Sequence, residues 1–377
     1  MISEADVRKL TEIHAPGSQV LSLYLRIPAS LPSLRELPGR AEELLAAAAA
    51  GAGRRVTATA RSEQRRAVRR FLEVRARDWQ GPAAAIFTCR DAGLAEAFPL
   101  PCPVADRAVL APRPHVRPLL AALERCPAYY VAVTGRDGTW VFRVAGTRID
   151  ALAQLAGSGP DGPRPGGWHA LGPHRSRERI TKLGRYPQPG TAALLSRLLR
   201  AAGLPPLVIG GDDEPARAFA ALLPDDVRGQ LAGSFTAKPA ALTPARARVL
   251  AAEVIGEWVR ERERRLAALI VQEPAGGLGA VGLDACLAAV SSRAVSILAV
   301  PDADLLPGFA CDLCGRLSVT PGACRHGSLG VRPVPDLLEE MTAATLADGG
   351  DVATVRDCPG EVAALLRFPL AQSLRAS

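Results

Sequence analysis

The chain has 377 residues, of which 48% are apolar and 22% charged, a balance that buries cores and excludes global disorder. Its length suggests two or three domains, and the lack of an apolar run of about 18 residues argues against a transmembrane helix. The formal charge is +8, a surplus that suits a polyanion, and only three of the 46 basic residues are lysines, a preference that GC-rich codon usage explains and that also suits forked phosphate contacts.

The opening MISEADVRKLTEIHAPG carries acids and lacks an apolar stretch, so it does not read as a signal peptide and the cytoplasm is the expected location. It predicts a helix over roughly Glu4–Ile13. In QVLSLYLRIP, Val20, Ser22, Tyr24 and Arg26 alternate with Leu21, Leu23, Leu25 and Ile27, a period-two strand ended by Pro28. An alanine-rich helix follows around Ala41–Ala50. From Arg54 to Arg77 there are nine arginines against Glu63 and Glu73. Arg61, Arg65 and Arg69 fall four apart on one helical face, flanked by Arg66 and Arg70; like charges so spaced repel unless something anionic meets them. Two readings stay open for this face: a solvated surface, or a helix that contacts phosphates. The strand AAAIFTC (83–89), the connection PRPHVRP (112–118) and the helix LLAALERC close the first segment.

Next, AYYVAVTG and TWVFRVAG flank Arg136-Asp137-Gly138, a hairpin signal. The stretch AGSGPDGPRPGGWHALGPHRSRERITKLGRYPQPG is too long and too rich in Gly and Pro for a mere connector. A helix (Thr191–Ala202), the strand PPLVIGG, a helix led by Glu214-Pro215 and a long helix opened by Thr243-Pro244 and running to about Val271 follow. After EPAGGLGA come a helix (Leu283–Val290), a buried strand AVSILAV (294–300), a helix from Pro335 to Leu346, the strand DVATVRD, and EVAALL as a short helix or strand. Alternating strands and helices define an α/β layer structure.

Two constellations could carry chemistry. Cys311-x2-Cys314-x9-Cys324-x-His326 has the make-up of a zinc knuckle: a C-x2-C turn and a second pair supplied by a short hairpin. All four positions would be filled, so such a zinc would be structural; a metal-free hairpin is the other reading. In the long loop, Gly166, Gly167 and Trp168 precede His169, His174, Arg175, Arg177, Arg179, Lys182 and Arg185. Paired glycines permit close backbone approach, and an aromatic beside cations stacks bases and grips phosphates; a plain flexible loop is the alternative. Walker, Rossmann, G-x-S-x-G and H-E-x-x-H signatures do not occur, and the five histidines suggest no triad.

Three stretches together resemble one family. GLDACLAAVSSRAVSILAV, the C-x2-C insert and GGDVATVRDCPGEVAALLRFPL resemble the C-terminal domain of the archaeo-eukaryotic peptide release factors and of Pelota. YYVAVTGRDGTWVFRV, with the Gly-Gly loop before a basic stretch, resembles their RNase H-like central domain. QVLSLYL to PRPHVRPLLAAL resembles the N-terminal domain of the superfamily's bacterial branch, which includes a ribosome-hibernation factor. The resemblance covers essentially the whole chain. It implies three domains: an N-terminal α/β domain (1–125), a central RNase H-like domain with the Gly-Gly-Trp loop (126–272), and a C-terminal α/β/α sandwich with an inserted zinc-ribbon-like hairpin (273–377).

The family places its central loop in the peptidyl-transferase centre, where release factors carry Gly-Gly-Gln. Gly166 and Gly167 match the glycines, and Trp168 stands at the glutamine position. An indole offers one N–H and no acceptor, so it cannot organise a hydrolytic water as an amide does. The resemblance therefore implies a ribosome-binding translation factor without a catalytic residue, occupying the A site in hibernation or on a stalled ribosome. Arg61, Arg65, Arg66, Arg69, Arg70 and the basic loop would meet rRNA, with an elongation-factor-type GTPase as a possible partner and with neither DNA nor membrane. A peptidyl-tRNA hydrolysing rescue factor and an RNA-binding stress protein acting off the ribosome are the alternatives.

Overall fold

The computed structural model describes residues 2, 4–15, 17–28, 35–52, 57–75, 81–135, 138–156, 181–183, 188–272, 277–302, 305–321 and 330–370. These form two compact units, one from residues 1–125 together with 262–377, the other from 126–261.

In the first segment, α1 (Glu4–Glu12) precedes β1 (Val20–Arg26), α2 (Leu37–Ala52), α3 (Ala58–Arg75), β2 (Ala83–Cys89), β3 (Leu94–Leu100), β4 (Arg107–Ala111) and α4 (Arg117–Arg125). The sheet runs β3-β2-β1-β4 and is antiparallel throughout. Alternation along β1 sends Leu21, Leu23 and Leu25 to one face, where they pack with Ile86, Leu110, Ala41 and Leu45 of α2, and Val68 and Leu72 of α3. The opposite face carries Ser22 and Tyr24. Polar residues at every second position ordinarily mark a wetted face, yet both are fully buried. The stretch after β4 covers them: the Tyr24 hydroxyl donates to the His115 carbonyl at 2.5 Å, and the His115 N–H donates to Ser22 Oγ at 2.8 Å.

The second unit is built on β5 (Tyr129–Gly135), β6 (Gly138–Ala145), β7 (Arg148–Ala156) and β8 (Thr181–Leu183), then α5 (Gln188–Ala201), β9 (Leu207–Gly211), α6 (Asp213–Ala221), α7 (Asp225–Arg228), β10 (Leu231–Thr236) and α8 (Pro244–Gln272). Its six strands lie in the order β10-β9-β5-β6-β7-β8. β5, β6 and β7 form an antiparallel meander, whereas β9, β10 and β8 each run parallel to a neighbour. Gly135 pairs with Gly138, closing the expected hairpin around Arg136 and Asp137, which lie outside the described residues. Strand β5 is apolar on both sides because helices cover both faces. Ala192, Leu195 and Leu199 of α5 and Phe219 of α6 pack on one face, and Ala247, Ala251, Ile255 and Val259 of α8 on the other. Helix α8 starts where Thr243-Pro244 predicts, with Thr243 Oγ1 accepting the Arg246 N–H at 3.2 Å. Gly210 admits a close contact: a Cβ there would lie 2.2 Å from the Phe235 ring, so β9 needs glycine for that ring to seat on its backbone.

In the last segment, β11 (Gly279–Val281), α9 (Leu283–Ser291), β12 (Val295–Val300), β13 (Gly308–Cys311), β14 (Leu317–Ser318), β15 (Val331–Val334), α10 (Leu337–Ala347), β16 (Asp351–Thr354) and β17 (Ala363–Leu366) follow in turn. The main sheet is β11-β17-β12-β16, with β12 and β16 parallel; β14-β13-β15 form a small second sheet. Helices α9 and α10 bury Cys286, Leu287, Leu337 and Met341 against Leu298 and Leu366. Ile270 and Leu266, at the end of α8, pack on the other side with Ala299 and Ala363. A helix that the sequence assigns whole to the middle of the chain therefore ends within the first unit, and the segments 1–125 and 273–377, read as separate domains, share that unit.

Candidate functional site

Of the residues singled out in the long loop, Gly166, Gly167, Trp168, His169, His174, Arg175, Arg177, Arg179 and Arg185 lie outside the described residues. Lys182 is on β8, the edge strand that pairs in parallel with β7, with Lys182 opposite Gln154. Segment 157–180 thus connects two adjacent parallel strands of the central sheet.

The arginine face falls on α3. Arg61, Arg65, Arg66, Arg69 and Arg70 are all exposed. Glu42 of α2 takes two of them, Arg65 Nε at 3.1 Å and Arg69 Nη2 at 3.6 Å. The side chains of Arg61, Arg66 and Arg70 have no partner among the described residues. The repulsion expected along the helix is thus partly relieved within the fold, and three cations remain for solvent or a ligand.

Of the four candidate zinc ligands, Cys311 ends β13 and is buried, and Cys314 is exposed in the following turn. The turn is tight: the Gly315 N–H donates to the Cys311 carbonyl at 2.8 Å, with Gly315 at φ +72°. Such a turn is the first half of a knuckle. Cys324 and His326 lie outside the described residues.

A further cluster went unread in the sequence. Asp336 is the N-cap of α10, accepting the Leu338 N–H at 3.2 Å. Glu339, three residues on, makes D-x-x-E, a capping-box spacing. In such a box the glutamate reaches back to its own helix; here both carboxylate oxygens turn to the stretch ahead of α4, accepting the N–H groups of Val116 at 2.8 Å and Arg117 at 3.0 Å. The Arg117 guanidinium contacts Asp336 Oδ2 through Nη2 at 2.5 Å and Nε at 3.2 Å, and donates to the Pro301 carbonyl at 2.8 Å. His115 Nε2 lies 3.0 Å from Asp336 Oδ2 and 3.5 Å from Glu339 Oε2. All four residues are under a tenth exposed.

Burial pushes the Asp336 carboxyl up, but the His115 hydrogen bond and the Arg117 charge outweigh it and hold the group at about 2. For Glu339 burial wins, and the group sits above the usual carboxylate range despite His115, Arg117 and two N–H donors. The donor atoms of His115, Asp336 and Glu339 lie within 4.8 Å of one another, close enough to hold a metal ion. Arg117 already supplies a positive charge to Asp336 and two N–H groups occupy Glu339, so this is an ion-pair hub in which the guanidinium fills a cation's role. The signal for it was the D-x-x-E spacing together with His115 and Arg117 in the proline-rich PRPHVRP.

These features define an α/β protein with a mixed central sheet, an exposed cationic helix and a cysteine turn. Residues 114–274 match the model of a family described as bacterial archaeo-eukaryotic release factor family 10. The chain is thus similar to the bacterial branch of the release factor and Pelota superfamily, as the sequence resemblance implies. Among solved structures it is similar to an archaeal translation termination factor, aRF1 (16% identity, 96% of each chain, TM-score 0.24). It is also similar to Dom34 of S. cerevisiae, a translation termination-like factor (10% identity, 78% of this chain and 81% of that one, TM-score 0.44). A third is a model of ribosome-bound archaeal Pelota and ABCE1 (15% identity, 98% and 95% covered, TM-score 0.39). No curated protein matches the chain. Among the described residues, no helix is long and apolar enough to cross a membrane.

Proposed function

We propose that the protein is a ribosome-binding translation factor that occupies the A site of idle or stalled ribosomes without hydrolysing peptidyl-tRNA. The observation that carries this reading is the match of residues 114–274 to a release-factor family, because that segment contains Gly166-Gly167-Trp168. Gly166 and Gly167 match the glycines of the family's loop in sequence, and Trp168 would replace its water-positioning amide with a ring suited to stacking on RNA that accepts no hydrogen bond. His169, His174, Arg175, Arg177, Arg179, Lys182 and Arg185 supply hydrogen bonds and phosphate contacts behind it. The order β7-β6-β5-β9-β10, a meander followed by two parallel strands, supports an RNase H-like central domain that presents the loop. On α3, Arg61, Arg66 and Arg70 offer unpaired guanidinium groups for rRNA phosphates, flanked by Arg65 and Arg69. A zinc ion held by Cys311, Cys314, Cys324 and His326 would rigidify the hairpin of the last segment; the tight Cys311–Gly315 turn fits its first two ligands. The sequence resemblance to the release factor and Pelota superfamily is the ground for an elongation-factor-type GTPase as delivery partner.

Co-sedimentation with 70S particles across a salt series tests the reading. If about five phosphates are neutralised, log affinity falls against log salt with a slope of several units. The Trp168→Ala variant binds more weakly at every salt concentration. Failure to pellet at the lowest salt overturns the proposal, and release of peptide from a stalled complex overturns its non-hydrolytic part.

A further inference from the structure

The stretch 112–125 is tied to the last segment by polar contacts at both of its ends, buried at the first and half-buried at the second. At one end is the hub of His115, Arg117, Asp336 and Glu339. At the other, the Glu124 carboxylate of α4 accepts the N–H of Thr354 on the edge strand β16 at 2.5 Å, beside the Arg125–Asp302 pair at 2.7 Å. Glu339 is buried and Glu124 half-buried, each accepts backbone N–H donation, and neither is contacted by a guanidinium among the described residues.

The charge count at the hub is decisive. Asp336 and Arg117 neutralise each other. Glu339 remains as the carboxyl that no guanidinium contacts among the described residues. Ionised, it would be a charge enclosed without a contacting counter-ion, an arrangement that proteins avoid. His115 is 1% exposed, and its Nδ1 has no partner among the described residues. It borders a cavity of about 10 Å³ lined also by Arg113 and Glu340, and Arg113 Nε is likewise unpartnered. A space of that size is about that of one water.

We propose that the stretch 112–125 is a proton-dependent latch, closed while Glu339 and Glu124 are neutral, and released from the last segment when those protons are lost. Most of the charged groups facing it are paired with one another. Around the hub, Arg332 is committed to Glu340 and Asp312, and Tyr24 is kept protonated by burial. Facing Glu124 from α8 are Arg262 and Glu263, and Glu263 is paired with Arg356 at 3.7 Å. Burial raises both glutamates, Glu124 to about 7. A raised carboxyl favours the folded, protonated state, so closure is complete at low pH and is lost as pH rises through the folded value. Asp336 acts oppositely, but only near 2. The inference stands independently of the ribosomal reading.

The amides bonded to the two glutamates report directly on the latch. Hydrogen–deuterium exchange of the full chain, corrected for intrinsic rates, is followed at pH 5 and pH 8 in peptides covering Val116–Arg117 and Thr354, with β12 as an internal reference. Protection at the first two sites falls at least tenfold from pH 5 to pH 8 while β12 is unchanged. In Glu124→Gln the loss at Thr354 shrinks below threefold. Equal protection at both pH values in the wild-type chain overturns the latch, as does a Glu124→Gln chain with intact β12 protection that keeps the full pH dependence. Should Glu124→Gln lose β12 protection as well, the wild-type comparison alone decides.

Discussion

Arg117 is 3% exposed and contacts Asp336 and the Pro301 carbonyl, while Arg61, Arg66 and Arg70 stand in solvent on α3 with no side-chain partner among the described residues. The residue type is the same and the environments are opposite. At the hub each charge is enclosed and answered by its neighbours, so its removal is felt by the fold. On α3 the charges lie in high dielectric, where a cation costs the fold little and is available to a ligand. A count of arginines mixes the two classes; burial and partners separate them.

The comparison breaks most sharply at Asp336. Asp336→Ala removes the N-cap of α10 and leaves the Arg117 guanidinium buried without its carboxylate, a loss of about 3–5 kcal/mol that chemical denaturation would read. Glu124→Gln comes next. The folded carboxyl lies at about 7 against an ordinary 4.5, so wild-type stability is full below pH 4.5, falls as pH rises toward 7 and levels above it. The total fall is on the order of 3 kcal/mol. The glutamine variant, which does not titrate, flattens that part of the stability–pH curve; an unchanged curve would refute the assignment. A smaller effect is expected from Tyr24→Phe, which leaves the His115 carbonyl short of its buried donor and costs about 1–3 kcal/mol in the same denaturation experiment.

Much of the framework was legible in residues. Alternation in QVLSLYLRIP marked β1, and Thr243-Pro244 marked the start of α8, because each signal is local and tertiary packing did not oppose it. LAEAFPL, RAVLA, RIDALAQLA and LAGSFT were passed over although they form β3, β4, β7 and β10. LAEAFPL and RIDALAQLA carry charges, RAVLA is only five residues long and LAGSFT contains Gly; their strand state comes from pairing with neighbours rather than from propensity. The hub was missed for a different reason. Its members are 219 to 223 residues apart, and neither half is conspicuous alone. PRPHVRP reads as a proline-rich connector until Ser22 and Tyr24, which look like the wet side of a strand, are found holding it down. The arginine face was legible as composition, but not its partial neutralisation, since Glu42 lies on another helix.

The smallest expected change in stability tests that neutralisation. Glu42 sits between Arg65 and Arg69 and reaches neither Arg61 nor Arg66 nor Arg70 through any contact among the described residues. The triple replacement Arg61→Ala, Arg66→Ala, Arg70→Ala removes three exposed charges from a helix held by Val68 and Leu72 on its buried side. Alanine is a good helix former and nothing buried is lost, so each substitution should shift stability by no more than about 0.5 kcal/mol. Replacing Arg65 and Arg69 instead breaks two solvent-exposed pairs, worth at most about 1 kcal/mol each. If the three unpaired cations are the ones that meet phosphate, the triple variant keeps its unfolding midpoint and binds ribosomes more weakly. It also flattens the salt slope by about three units. The Arg65/Arg69 variant should change binding less than the triple. Equal loss in both variants would mean that Glu42 releases its partners on binding, and unchanged binding in the triple variant would return α3 to the status of a solvated face.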